Sequence, residues 1–458
     1  RGRGALRRGG AGGARGADGD PDHPPAGQPR ARRPRGPAGA GTPSRERAAA
    51  ARPPGMSGIC GIVSLAGPPP PAALARLTDR LARRGPEGAR HWIGVRAALG
   101  HTLLATTPEA RVERLPLVDA ASGCAITADV RLDNREALAA ALGRDLGARV
   151  VGDGELILAA YLAWGEDCPG RLLGDFAFAI WDPRAGRLFA ARDQMGMKQL
   201  VHGCPGPGRL IFASDARALR DAAPEAFPVS EARIADYLED LEGIDHVATF
   251  FEGVFRLPPA HWLSFDAAGL ATRRYWRPEV GPELRLPSDA AYAEAFRAVF
   301  TEAVRCRLRS AGPLGAMLSG GMDSTSVAAV AAELLAAEGR GPLPTFSGRG
   351  PDPETCPETR AILAATGIAG IAPETVDHAA MGALLPDLVG GLDDLAEPFD
   401  ATMTLIRAVY ARAAARGVTV MLDGVAGDVV VSGGDARQRL MRRGRVRRVL
   451  RDIRGERA

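Results

Sequence analysis

From Gly58 onward, apolar and polar positions recur with periods that define discrete elements. Ile59, Cys60, Ile62 and Val63 form a short apolar run bounded by Gly-Pro punctuation, which predicts a strand. Residues 72–83 carry Leu74, Leu77 and Leu81 at helical spacing and close at Gly85-Pro86, which predicts a helix. Strand-like runs recur at 124–129, 177–181 and 187–191, with a helix over 155–164 between them. A mixed α+β domain therefore spans 56–277, up to a loop at 278–287. Beyond it strands and helices alternate: strand 314–318, helix 324–337 with Val327, Val330, Leu334 and Leu335 as its buried stripe, strand 343–346, helices 361–366 and 405–415, and strand 418–422. Such alternation predicts an α/β domain over 288–458, with a parallel sheet covered by helices.

Residues 1–55 break this pattern. Leu6 is their one large apolar residue, and the rest is mostly Gly, Pro, Ala and Arg. That composition cannot bury enough apolar surface to offset chain entropy, so the segment is expected to be disordered, or to be sequence upstream of the true start, with Met56 as initiator. It also holds 12 arginines against 4 acidic residues, whereas 56–458 hold 46 basic against 50 acidic ones. A mildly acidic body of this size argues against a dedicated nucleic-acid binder. No run approaches the ~18–20 apolar residues that span a bilayer, and no signal-peptide pattern opens the chain, so a cytoplasmic protein is expected. The six cysteines lie apart, without a CxxC pair, and are expected to be reduced and mainly structural. Lys198 is the sole lysine.

The stretch Gly315-Ala316-Met317-Leu318-Ser319-Gly320-Gly321-Met322-Asp323-Ser324-Thr325-Ser326 carries the clearest chemistry. It runs from an apolar strand through two glycines into a helix. Glycines let backbone amides approach an anion closely, and the helix N-terminus adds its dipole. Ser319, Ser324 and Thr325 add hydroxyls, and Asp323 is placed to hold a Mg²⁺ bridging phosphate oxygens. The common Gly-Lys-Ser/Thr phosphate loop is excluded, because no lysine lies here. A second acidic segment, Asp423-Gly424-Val425-Ala426-Gly427-Asp428, follows the strand at 418–422, again at a carboxyl end where open α/β sheets bind ligands. Asp428 is expected to supply the second metal carboxylate.

The pattern SGGxDS resembles the pyrophosphate loop of the ATP-pyrophosphatase superfamily, and 56–458 as a whole resembles the asparagine synthetase family. The markers are Gly58-Ile59-Cys60-Gly61-Ile62, Arg84-Gly85-Pro86-Glu87-Gly88, Gly174–Phe178 and Arg192–Gly196 in the first domain, and the SGGxDS loop, Glu397-Pro398 and Gly424–Asp428 in the second. The resemblance implies an N-terminal-nucleophile, class II glutamine amidotransferase-like domain followed by an ATP-pyrophosphatase domain that adenylates a carboxylate, with ATP and Mg²⁺ as cofactors. It implies Mg²⁺–pyrophosphate at Asp323 and Asp428 and phosphate contacts at Ser319, Gly320, Gly321 and Ser324. Adenine is expected near Leu318, Ser347, Gly348, Asp423 and Gly424.

Departures from the family pattern point to a branch. Cys60 is expected to be a relic nucleophile, because Ser57, Gly58 and Ile59 precede it and deny it a free α-amine as base. Leu103 stands where the family clamps glutamine with arginine, and Asp129-Val130-Arg131 replaces Asn-Gly-Glu, leaving Asp153 as a remnant of the glutamine site. Val425 replaces the Glu of asparagine-forming enzymes. Branches with an idle glutaminase domain, the β-lactam synthetases and the lasso-peptide cyclases, use an amine already in the substrate, and this chain is most similar to the cyclases. The expectation is a macrolactam synthetase acting on a precursor peptide, with a leader peptidase as partner and neither nucleic acid nor membrane involved. The alternatives are a glutamine-hydrolysing asparagine synthetase and a regulatory nucleotide-binding protein of the same fold. Family members also use a lysine well downstream of Asp428. None follows Lys198, so the chain is expected to lack part of its second domain and to be inactive as it stands, with 437–457 forming an amphipathic Arg-rich helix.

Overall fold

A computed structural model describes residues 56–428 except 240–244, 280, 351, 353, 391–396 and 398–402, together with 441, 442, 444 and 446. The expectations for 1–55, for Pro398 and for most of 437–457 lie outside the described residues. Both domains belong to one compact unit.

The first domain comprises β1 (Gly58–Ser64), α1 (Pro71–Leu81), β2 (Ala89–Ile93), β3 (Ala97–Thr102), β4 (Leu117–Val118), β5 (Ala125–Leu132), α2 (Arg135–Ala141), α3 (Asp153–Trp164), β6 (Gly174–Asp182), β7 (Arg187–Arg192), β8 (Val201–Gly206), β9 (Arg209–Ala213), α4 (Ala216–Ala222), α5 (Glu231–Glu239), β10 (Val254–Arg256), β11 (His261–Asp266) and β12 (Gly269–Arg274). Its strands form two antiparallel six-stranded sheets, β10-β8-β9-β1-β3-β2 and β12-β11-β7-β6-β5-β4. Ile59, Val63 and Leu99 of one sheet pack against Ala177, Ala179, Leu188 and Leu263 of the other. The outer face of the first sheet is covered by Leu74, Leu77 and Leu81 of α1 with Leu219 of α4, and that of the second by Leu156, Ile157 and Tyr161 of α3. Successive residues of a strand point to opposite faces, so each buried strand feeds two cores at once. This explains the near-continuous apolar runs of β1, β6 and β7.

The second domain comprises α6 (Asp289–Arg307), β13 (Leu314–Met317), α7 (Met322–Ala337), β14 (Leu343–Gly348), α8 (Pro357–Ala365), β15 (Ile371–Val376), α9 (His378–Gly390), α10 (Thr404–Ala415) and β16 (Val420–Leu422). Its four strands are parallel in the order β15-β14-β13-β16, as expected from the alternation. The buried stripe of α7 differs from the expected one: Ala328, Ala331, Ala332 and Leu335 are buried, whereas Val327, Val330 and Leu334 are only half-buried. Small alanines let the helix approach the sheet, and the larger residues pack at the flanks of that contact. Helix α6 was not expected. Only Val304 among its residues is buried, so its sequence carries a weak apolar period, while Ser288 caps it by accepting from the Ala291 amide at 3.2 Å.

Candidate active site

The strand–loop–helix at 314–337 builds a cradle. Leu318 continues β13, donating its amide to the Phe346 carbonyl at 2.9 Å, and its own carbonyl accepts from Ser347 Oγ at 2.6 Å. The chain then turns at Gly320, whose φ of +75° is left-handed. A Cβ there would lie 2.5 Å from backbone atoms of Ala361 and Ile362 in α8, so conformation and space both require glycine. Gly321 is the N-cap of α7 and no side chain caps that end, which leaves the first amides of the helix available to an anion. Ser324 Oγ accepts from the Ser319 amide at 3.0 Å and lies 2.7 Å from Ser319 Oγ, fixing the shape of the loop.

Leu318, Ser319, Gly320, Gly321, Ser347 and Gly348 line one side of a cavity of about 480 Å³. Ile362, Leu405, Ile406 and Val409 form its apolar wall, with Glu358 at the edge. A Cβ at Gly348 would lie 2.6 Å from the Leu405 side chain, so this wall packs directly on the strand end. Phosphate donors beside a flat apolar wall suit a nucleotide. Sequence reasoning missed that wall, since α10 was legible as a helix but not as the element facing the loop.

Asp423 and Gly424 are the residues expected near the adenine on the second loop. They follow β16, on the opposite flank of β13 from β14, and do not line the cavity. Asp423 accepts from the Tyr410 hydroxyl at 2.6 Å. Gly424 packs so closely on Asp323 and Ser324 that a side chain has no room, and a Cβ at Gly427 would lie 2.6 Å from the Asp323 carboxyl carbon. The segment Asp423–Asp428 is thus folded directly onto Asp323, and Asp428 follows at the next position, on the exposed surface. Among the described residues no group of three or more His, Cys, Asp or Glu could hold a metal by itself. A Mg²⁺ bound there would be held largely by phosphate oxygens, the usual arrangement for that ion. Asp323 and Asp428 would be its protein ligands, and the ion would neutralise phosphate charge.

In the first domain the structure places Cys60 in the core. It is fully buried between β1, Gly100 and α1, its Sγ is 3.5 Å from Thr78 Oγ1, and burial pushes its thiol up to about 12. Ser57, immediately before β1, lines a small cavity that Cys60 does not reach. His101, Leu103, Glu113 and Asp129 also line this cavity of about 20 Å³, and the Ser57 hydroxyl donates to the Leu104 carbonyl at 3.2 Å and accepts from the Leu104 amide at 3.0 Å. Ser57 was not among the expected site residues, because a serine ahead of a strand carries no distinguishing signal. A cavity of that size holds about one water. Burial holds His101 at about 4 and raises Glu113 to about 7. Lys198 Nζ is 2.9 Å from Asp129 Oδ1.

Asp153, expected as a ligand for the amine of glutamine, is committed to the protein. It is 2% exposed, accepts from the Leu132 amide at 3.0 Å, pairs with Arg135, and lies 3.1 Å from Arg309 of the second domain. Its carboxylate is buried and paired with two guanidinium groups.

Sandwich and phosphate cradle together define a two-domain architecture, an amidotransferase-type fold joined to a nucleotide-binding α/β fold. Comparison with known proteins agrees. The glutamine amidotransferase domain family matches residues 56–276, and the asparagine synthase family matches 295–457. The glutamine-hydrolysing asparagine synthetase 3 of Bacillus subtilis is 34% identical over 282 residues, 60% of this chain and 44% of that protein. The amidase chry2 of Gibberella zeae is 29% identical over 262 residues, 56% of this chain and 38% of that protein. The chain belongs to the asparagine synthetase family, and it spans less than half the length of these relatives.

Proposed function

We propose that this chain carries the ATP-dependent, AMP-forming amide ligase chemistry of its family, with an amine of the substrate itself as nucleophile. The observation that carries this reading is the cavity of about 20 Å³ at Ser57, which has room for a water and none for glutamine. Cys60 does not line that cavity and is fully buried in the core under α1. Ligation then needs a carboxylate activated on ATP and a nitrogen from elsewhere than glutamine. In the second domain the amides at Gly320, Gly321 and the start of α7 hold phosphates, Ser319 and Ser324 orient them, and the wall of Ile362, Leu405 and Val409 excludes water from the nucleotide. Catalysis of this kind is positioning and charge neutralisation.

The substrate we propose is a precursor peptide whose Asp or Glu side chain is adenylated and then attacked by the peptide α-amine, closing an isopeptide ring as in the lasso-peptide cyclases, with a leader peptidase as partner. Val425, within the second acidic loop where asparagine-forming enzymes carry Glu, favours this over free aspartate. A second reading, glutamine-hydrolysing asparagine synthesis, is favoured by the activities for which relatives are named. One experiment separates them: the protein, expressed with whatever its gene encodes after Ala458, is incubated with ATP and Mg²⁺ and either a candidate precursor peptide or glutamine plus aspartate. AMP formed with the peptide, together with a product lighter by one water, supports the cyclase. AMP formed with glutamine and aspartate alone overturns it.

A further inference from the structure

The two domains meet in a cluster of four guanidinium groups and four carboxylates, and its location bears on the nucleotide loop. The end of α6 supplies Arg307, and Arg309 follows one residue after the helix's C-cap, Leu308. Arg307 makes a two-pronged contact with Asp175, 3.0 Å at its second oxygen, and lies 2.8 Å from Asp133. Arg309 pairs with Glu109, donates to the Leu132 carbonyl at 2.7 Å, and reaches the buried Asp153 at 3.1 Å. In the reverse direction Arg131 of β5 donates to the carbonyl of Arg309 at 2.8 Å and to that of Cys306, so a cation of the first domain caps the last turn of α6. Arg135 completes the cluster at Asp153. One backbone bond joins the domains beside it, from the Ala311 amide to the Thr106 carbonyl at 2.9 Å. Arg131, Asp133 and Asp153 are each more than nine-tenths buried, whereas Arg307 and Arg309 are 36% and 21% exposed, so these pairs are only partly shielded from the screening that makes surface ion pairs weak.

Three residues beyond Ala311 the chain enters β13, which delivers Leu318 and the SGG loop. The anchor and the phosphate cradle are therefore connected by one short segment and a four-residue strand. From this geometry we infer that Arg307 and Arg309 are positioning residues: the first domain, through Asp153, Asp175, Asp133 and Glu109, holds the base of β13 and so sets the place of the phosphate loop. The first domain then serves the second as a rigid mount. The inference rests on the nucleotide reading of that loop, and its test has one readout that does not.

Arg309→Gln and Arg307→Lys are made in the full chain, the latter keeping charge but losing the fork that matches Asp175. Arg305→Gln is the control, because Arg305 and its partner Glu302 are both more than half exposed. Hydrogen exchange of amides 314–321 is expected to accelerate at least tenfold in both test variants and not in the control. The KM for ATP in ATP–pyrophosphate exchange is expected to rise five- to tenfold at a temperature where all variants are folded, a change that a purely structural role would not produce. Unchanged loop exchange in both test variants overturns the clamp, as does accelerated exchange with an unaltered KM. If Arg309→Gln does not fold, Arg307→Lys decides alone. A wild-type protein that binds no ATP refutes the nucleotide reading, and hydrogen exchange still decides whether the domains are clamped.

Discussion

Two adjacent glycines of the phosphate loop are predicted to respond in opposite ways to the same substitution. Gly320 has φ +75°, and a Cβ on it would lie 2.5 Å from backbone of α8, which cannot rotate away as a side chain could. Left-handed backbone costs an L-residue roughly 1–2 kcal/mol, and forcing atoms into a packed contact roughly 1–3 more. Gly320→Ala should therefore destabilise the second domain by about 3 kcal/mol, a roughly 100-fold loss of protection for amides that exchange by opening of that domain. Gly321 has φ −74° and ψ 161°, which alanine adopts freely, and its Cβ would meet only Ser319 Oγ, at 3.4 Å. Gly321→Ala should leave stability unchanged or raise it by up to about 1 kcal/mol, through a less flexible unfolded chain. It should nevertheless weaken ATP binding, because the methyl group stands where phosphate approaches the amides. Hydrogen exchange of 314–337 reads stability and a fluorescent ATP analogue reads binding. All five tryptophans precede residue 277, so their fluorescence reports the first domain and should not respond to either change. Equal protection in Gly320→Ala and wild type would refute the loop geometry.

Asp323→Asn should abolish ATP–pyrophosphate exchange with the hydrogen-exchange protection of 314–337 unchanged; pyrophosphate exchange at the wild-type rate would remove Asp323 from the site. Cys60, with its thiol pushed up to about 12 by burial, should resist iodoacetamide at pH 8 in the folded protein while the exposed Cys204 reacts, and rapid labelling of Cys60 would contradict its placement in the core. Glu113 is raised by burial from 4.5 to about 7, so the unfolded chain loses this proton first as pH rises, and the contribution to stability, roughly 3 kcal/mol, is present below pH 4.5 and lost by about pH 7. His101, lowered to about 4, acts in the opposite sense up to pH 6.5, so the difference in urea midpoint between wild type and Glu113→Gln isolates the carboxyl. That difference should change across pH 5–8, and a constant difference would contradict its burial.

What the sequence made legible follows from how locally each feature is encoded. The strand–SGGMDS–helix unit was readable because loop, strand and helix are contiguous and each glycine has a local job. The parallel sheet was readable from alternation alone. The strands at 89–102, 201–213 and 254–274 escaped because several are exposed or short: β12 is exposed along its whole length and β10 has three residues. Ser57 escaped because a serine ahead of a strand carries no distinguishing signal, whereas a cysteine near a glycine-rich start attracts a catalytic reading. The partners of Asp153 were invisible because Arg309 lies 156 residues away. The apolar cavity wall is likewise a product of tertiary packing, assembled from α8 and α10 around a loop that precedes both.

The central claim, that the first domain has no working glutamine site, is tested most directly by glutamate release. The protein is incubated with glutamine labelled at its amide nitrogen, with ATP and Mg²⁺, and labelled ammonia and glutamate are measured against a boiled control. The account predicts no release above that control, with or without a peptide substrate, because the cavity beside Ser57 holds about one water and Asp153 is bound by arginine. Release of labelled ammonia that disappears in Ser57→Ala would contradict it and would make glutamine the nitrogen donor.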